Sequence, residues 1–271
     1  MLTLAELKRR AAKEGIPSAI IEKDYVLSVA LNTIADSTLS QCLVFKGGTA
    51  IRMAYFKEAR FSEDLDFTVL KLSRDEVFDD LGKLLSEKTI ESISFQKPVE
   101  EKTVAGLKVS IKYSGPLLHP QRILFDFSFR DNLVSEPVKK QLINNYGLDE
   151  RSINVLGIEE LFAEKIHALG NRAAPRDLYD VWFLFCKGII PDKETVRKKF
   201  AYYNEKFDLH NLRLMIPKIQ TGWRNDLRQV MPSVPSMEQL SKEVLDKLRK
   251  LHLGNDNVTS DTPGSYNPRY S

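Results

Sequence analysis

The spacing of apolar residues changes once along this chain, at Val155-Leu156-Gly157, and that change limits the fold more than any other feature. Before it, short runs alternate polar and apolar residues, the period of a half-buried strand. After it, GIEELFAEKIHALGN, DLYDVWFLFC, the stretch 192–214 and the stretch at about 236–251 all repeat at helical spacing. The expected architecture is α+β: a mixed sheet with flanking helices over 1–150, then a helical domain over 151–253. Residues 254–271 lack apolar content, hold two prolines and read as a disordered tail.

In the first half, 2–13 and 17–35 read as helices, and the second has Ile20, Ile21, Tyr25, Val26, Val29 and Ala30 at helical spacing. A short apolar run, 41–45, ends in Lys46-Gly47-Gly48, and the helix formers Thr49 to Tyr55 follow directly. Residues 64–69 alternate as a strand should. A helix over 74–90 and strands over 92–95, 105–113 and 123–129 complete this half.

Charge and cysteine content exclude several classes. Forty Lys and Arg against 37 Asp and Glu leave +3, too little for the whole molecule to act as a polycation. Cys42 and Cys186 form no CxxC pair, and two cysteines build neither a zinc cage nor a disulfide framework. No apolar run approaches the length of a membrane span, and the N-terminus lacks a signal-type apolar core. The expected location is the cytoplasm.

Chemistry concentrates at a few positions. Paired glycines between a strand and a helix let backbone N–H groups approach an anion, and the helix N-terminus adds positive potential. Lys46 supplies a charge beside Gly47 and Gly48, and Thr49 a hydroxyl. Asp64 and Asp66, two apart on a strand, put both carboxylates on one face, roughly 7 Å apart at Cα. Adjacent unpaired carboxylates repel, and a divalent cation is the economical compensation, although a solvated strand edge needs none. Asp126 lies between Phe125 and Phe127, where a carboxylate is costly unless paired or metal-bound.

In the helix after Gly157, Lys165 takes a slot of the apolar stripe formed by Ile158, Leu161, Phe162, Ile166 and Leu169. Its stem can pack, but its ammonium then needs an anion, either a triphosphate or a structural aspartate. His167 points away from that stripe and reads as a surface or satisfied histidine. Asp177 and Asp180 follow in Pro175-Arg176-Asp177-Leu178-Tyr179-Asp180. Asp177 reads as a helix-start cap, and either aspartate is placed to orient Lys165 or to hold Arg176 towards phosphate.

Lys46-Gly47-Gly48-Thr49-Ala50-Ile51-Arg52 followed by Arg60-Phe61-Ser62-Glu63-Asp64-Leu65-Asp66-Phe67 resembles the GG[ST]…DxD signature of the DNA polymerase β-like nucleotidyltransferases. The AbiEii/AbiGii toxin family, which includes the MenT toxins, is the nearer resemblance. Glu22-Lys23-Asp24-Tyr25, Ala163-Glu164-Lys165-Ile166-His167-Ala168-Leu169 and Pro175 to Asp180 are similar to it as well. The likeness covers about residues 20–185.

The resemblance implies that Gly48 and Thr49 hold nucleotide phosphates. It further implies that Asp64, Asp66 and Asp126 bind Mg²⁺ or Mn²⁺, Lys165 contacts the triphosphate, and Asp177 or Asp180 supports that lysine. Arg60 and Ser62 would add phosphate contacts beside Lys46 and Gly47. The reaction implied is transfer of NMP from an NTP to an RNA acceptor, the tRNA 3′ end, by a toxin with a cognate antitoxin in a toxin–antitoxin or phage-defence pair. Protein nucleotidylation and GTP binding without turnover remain the alternatives.

For an RNA acceptor the residues offer 196–228. There Arg197, Lys198, Lys199, Lys206, Arg213, Lys218, Arg224 and Arg228 interleave with Phe200, Tyr202, Tyr203, Phe207 and Trp223. Basic side chains follow a phosphate backbone and aromatics stack bases, but a bundle with its aromatics inside gives the same pattern.

Overall fold

The computed structural model describes residues 1–101, 103, 106–130 and 132–251. The expected tail, and the first residue of the strand expected at 105, lie outside the described residues.

Helix α1 (Leu4–Glu14) opens on a capping box, in which the Thr3 amide donates to Glu6 (2.9 Å). It stops at Gly15, whose φ of 65° carries the chain out of the helix. Helix α2 (Ser18–Ala35) is buried on most sides, through Tyr25, Val26, Leu27, Val29 and Ala30. Then come β1 (Leu43–Lys46), α3 (Gly47–Ala50) with a π-turn at Ile51–Tyr55, β2 (Asp64–Val69) and α4 (Arg74–Leu85). Strands β3 (Thr89–Ile90), β4 (Ile93–Phe95), β5 (Val99–Glu101), β6 (Leu107–Ser114) and β7 (Gln121–Ser128) follow. The sheet is completed by β8 (Val138–Gln141) and β9 (Ser152–Val155).

Strand order is β3-β4-β6-β7-β2-β1-β9-β8, with β5 paired to β6. The sheet is mixed: β2 runs parallel to β7 and antiparallel to β1, while β1 runs parallel to β9. One face is apolar. Phe45, Phe67 and Phe127 lie side by side across β1, β2 and β7, with ring centroids 5.4 and 5.5 Å apart, and α2 packs against β2 and β7. The alternate residues of the same strands are left on the half-open face.

The helical half comprises α5 (Ile158–Arg172), α6 (Pro175–Cys186), α7 (Lys193–Tyr202), α8 (Leu209–Ile219), α9 (Trp223–Arg228) and α10 (Met237–Lys250). Its apolar residues join those of the sheet in one core cluster. Backbone hydrogen bonds fasten the halves: Leu156 donates to Phe45, and Phe61 donates to Val230, each at 2.9 Å.

Four differences from the sequence reading have physical causes. The helix after β1 starts at Gly47 rather than Thr49, because Gly47 has no side chain to obstruct the turn. Helix α4 ends at Leu85 rather than residue 90, since Thr89 and Ile90 pair with β4. Strand β9 lies past the boundary set at 150, so the sheet extends to Val155. The stretch 192–214 breaks at Tyr203–Asp208, where Asn204 is left-handed (φ 56°) and Asp208 accepts from the His210 amide.

Candidate active site

Strand register builds the site. Lys46 on β1 is opposite Asp66 on β2, Asp66 is opposite Asp126 on β7, and Asp126 is opposite Lys108 on β6. Cross-strand partners share a face, so a cation, two carboxylates and a cation lie in one row on the half-open side. Asp64 stands two residues along β2 on the same face.

Among the described residues, neither the Asp64 nor the Asp66 carboxylate takes a hydrogen bond or ion pair from the protein. Burial, with Glu63 nearby, raises Asp64 above the usual carboxylate range. Burial, then the charges of Asp64 and Asp126, push Asp66 up to about 6, against the opposing pull of Lys165 and Lys46.

Asp126 behaves differently. Its neighbours Phe125 and Phe127 point into the core, so its own side chain is on the open face, 38% exposed, with Lys108 at 3.1 Å. The apolar surroundings expected from the sequence lie on the other side of the strand. Among the described residues no three His, Cys, Asp or Glu side chains are grouped to hold a metal. Two carboxylates that lack protein partners do fit Mg²⁺, which takes its remaining ligands from water and substrate phosphates.

The glycine turn presses on this pair. Gly47 has φ 75°, and a Cβ there would sit 2.0 Å from Asp66 Oδ2. A Cβ on Gly48 would meet the Arg60 guanidinium at 2.9 Å and the Ser62 hydroxyl at 3.4 Å. Gly47→Ala is therefore expected to displace Asp66 and strain the backbone by about 1–3 kcal/mol. Thermal unfolding and nucleotide binding should both fall, and a variant that matched the wild type in both would contradict this placement.

The protein itself supplies partners for Thr49 and Arg60, the residues to which the resemblance gives phosphate contacts. Thr49 is fully buried, and its hydroxyl donates to the Asp64 carbonyl, tying the helix to β2. Arg60 donates from Nε and Nη2 to Asp180 (2.8 and 2.7 Å) and from Nη1 to the Phe61 carbonyl (3.0 Å). With its fork so engaged, Arg60 positions Asp180. Ser62 is buried beside Gly48.

Asp180 in turn lies 2.8 Å from Lys165, and Asp177 lies 3.3 Å from the same ammonium. Burial opposes the charge on Lys165, but the two aspartates outweigh it and hold the amine above its ordinary value. Asp177 is fully buried and caps no helix; it accepts from Arg172 (2.9 Å) and Lys165, which keep it below the carboxylate range despite burial. Arg176 pairs with Glu63 rather than reaching towards phosphate.

A cleft of about 270 Å³ gathers Lys46, Gly47, Asp66, Glu164, Lys165, His167, Ala168, Arg172, Lys199 and Tyr203. Sequence reasoning singled out Lys46, Gly47, Asp66 and Lys165 but not Glu164 or Arg172. A helical wheel places Glu164, Ala168 and Arg172 on one face of α5 and was the available signal. His167, read as pointing elsewhere, lines this cleft.

The expected basic, aromatic surface at 196–228 also needs correction. Lys199 is 1% exposed and donates to Glu164 (3.1 Å) and the Asn132 carbonyl (2.7 Å), with Glu160 at 2.7 Å. Phe200 and Trp223 are buried, and the Trp223 indole donates to the Pro235 carbonyl (2.9 Å). Glu164, shared between Lys199 and Lys46 (3.6 Å), stays below its usual range because both lysines outweigh its burial. Among the described residues no helix is long and apolar enough to cross a membrane.

A comparison with curated protein sequences gives no match. Among solved structures, the nucleotidyltransferase toxin MenT4 of Mycobacterium tuberculosis superposes with a TM-score of 0.67. That alignment covers 94% of this chain and 95% of MenT4 at 19% identity, a likeness of fold. An antigenic nucleotidyltransferase-like protein of Paracoccidioides brasiliensis gives a TM-score of 0.37 over 85% and 87% of the two chains, at 17% identity. The family profile described as "Nucleotidyl transferase AbiEii toxin, Type IV TA system" matches residues 29–250. With that profile spanning most of its length, the chain belongs to the AbiEii nucleotidyltransferase toxins of type IV toxin–antitoxin systems.

Proposed function

We propose that this protein transfers a nucleoside monophosphate from an NTP to an RNA hydroxyl, the 3′ end of tRNA, and so blocks translation until a cognate antitoxin restrains it. One observation carries the reading. Two neighbouring strand carboxylates, both pushed above their ordinary range, lack any hydrogen bond or ion pair among the described residues while a glycine turn and two lysines stand around them. A fold without a ligand for that pair would gain by neutralising it.

Each residue then has a task. Asp64 and Asp66, deprotonated, hold Mg²⁺ or Mn²⁺; that ion supplies charge neutralisation and alignment at the α-phosphate. Gly47 leaves room for backbone and phosphate to approach, and Lys46 and Lys165 set positive charge along the triphosphate. Asp177 and Asp180 keep Lys165 charged and Arg60 fixes Asp180, so no reorganisation is needed when substrate arrives. Asp126, half-exposed at the Lys108 end of the row, is placed to accept the proton of an incoming hydroxyl once Lys108 yields it.

The test is incubation of the full chain with each α-³²P-NTP, Mg²⁺ and total bacterial tRNA. Label should enter RNA and disappear with EDTA. Label in protein instead of RNA would replace RNA by a protein acceptor, and nucleotide binding without pyrophosphate release would leave only a binding role.

A further inference from the structure

Besides its charged side chains, Glu164 and Lys199 included, the cleft lining holds the aromatic rings of His167 and Tyr203. This aromatic pair is built rather than incidental. The His167 imidazole stacks on the Tyr203 ring with centroids 4.4 Å apart and planes 18° from parallel, and Phe200 meets its edge at 4.9 Å. His167 Nε2 lies 3.0 Å from Glu205 and 3.0 Å from the Asn171 amide, so the imidazole is held in place. The Tyr203 hydroxyl accepts from Asn132 (3.2 Å), which fixes the second ring. Ala168, on the α5 face between Lys165 and Arg172, contributes only a methyl group to that lining.

We propose that the Tyr203–His167 pair is the platform for the base of the incoming nucleotide. The inference rests on the nucleotidyltransferase reading, and it adds a subsite to it. With the triphosphate along Lys46, Lys165 and Arg172, and the α-phosphate beside Asp66, the nucleoside is directed to the remaining lining of the same cleft. A flat aromatic surface there takes any base, because every base has a π-face.

Arg130 lies loosely over the Tyr203 ring, at 5.7 Å. It is exposed and makes no ion pair among the described residues. Base stacking is stronger than a solvent-exposed cation–π contact, so the guanidinium gives way or closes over the base. Ordering Tyr203 beforehand lowers the entropy lost on binding. The terminal base of the RNA acceptor is the competing occupant, and binding measured without RNA separates the two.

The measurement is calorimetric affinity of the full chain for Mg²⁺ with each of the four α,β-methylene NTPs, and for Mg²⁺ with tripolyphosphate. Tyr203→Leu should weaken the preferred NTP analogue about 10-fold, the scale of one lost stack, and leave tripolyphosphate unchanged. Tyr203→Phe keeps the ring and loses only the hydrogen bond from Asn132, so it should retain most of the wild-type affinity. Equal loss for both ligands would reduce Tyr203 to a structural role, and no loss for either would remove the platform.

Tyr203→Trp guards against a leucine variant that fails to fold: its added fluorescence should respond to the NTP analogue and not to tripolyphosphate. A response to both, or to neither, overturns the proposal. Failure of the parent reading looks different: the wild type would bind neither ligand, or would bind the nucleotide without passing label to RNA, whereas failure of the platform leaves wild-type binding and transfer intact and shows only in the Tyr203 variants.

Discussion

Asp66→Asn is expected to lower nucleotidyl transfer by about 10³-fold or more, because a metal-held centre supplies several kcal/mol of barrier reduction. The same change should leave the fold as stable as before, or more so. Among the described residues Asp66 has no hydrogen-bond or ion-pair partner to lose, and burial, then the charges of Asp64 and Asp126, disfavour its charge. The sign of its pH dependence follows. Its folded value of about 6 lies above the 3.8 of an unperturbed aspartate, so between them the folded protein holds a proton that the unfolded chain has released. The stability this group contributes is full below pH 3.8 and is lost as pH rises through about 6. Asparagine does not ionise, so in metal-free buffer the variant gains on the wild type as pH rises from 3.8 to about 6 and keeps that advantage above it. Urea unfolding in EDTA on both sides of that range, beside a transfer assay, checks the pair of outcomes. A variant clearly less stable at neutral pH would mean that Asp66 has a structural partner.

Asp180→Ala should do the reverse. Asp180 is 3% exposed and holds both Arg60, through two hydrogen bonds, and Lys165 at 2.8 Å. Removing it leaves the buried Arg60 without its carboxylate and Lys165 with Asp177 alone, a change that costs about 3–5 kcal/mol. Transfer should fall as well, since Lys165 loses its nearest anchor, but the loss of stability comes first and identifies the cause. Chemical denaturation should show the midpoint shifting strongly, and Asp180→Asn should recover part of the shift by keeping hydrogen bonds to Arg60. An alanine variant with wild-type stability would contradict the buried network. Two aspartates close to one lysine thus differ in the sign of their effect on stability: one is held in place by cations, the other is left to a ligand.

The contrast between those residues also marks what a sequence can convey. Asp64 and Asp66 on one face, the glycines after β1 and the switch to helical period were legible, because strand and helix periods act over neighbouring residues. The row joining Lys46, Asp66, Asp126 and Lys108 was not, since it depends on register between strands that are distant in the chain. Lys165 was visible as a charge in an apolar slot, but its partners Asp177 and Asp180 were left undivided. The structure shows that both bind it, and that Arg60 completes the set. Lys199 and Trp223 looked like parts of a nucleic-acid surface because composition does not tell a buried lysine from a solvated one; their helices turn both inward. The short strands β5, β8 and β9 hold three or four residues each, too few for a period to be read.

Mn²⁺ binding followed by electron paramagnetic resonance, with an α,β-methylene NTP present, tests the role given to the two strand aspartates most directly. The wild type should immobilise Mn²⁺ only when the nucleotide is added, and Asp64→Asn and Asp66→Asn should each abolish that signal while remaining folded. Equal Mn²⁺ immobilisation in all three proteins would contradict the account.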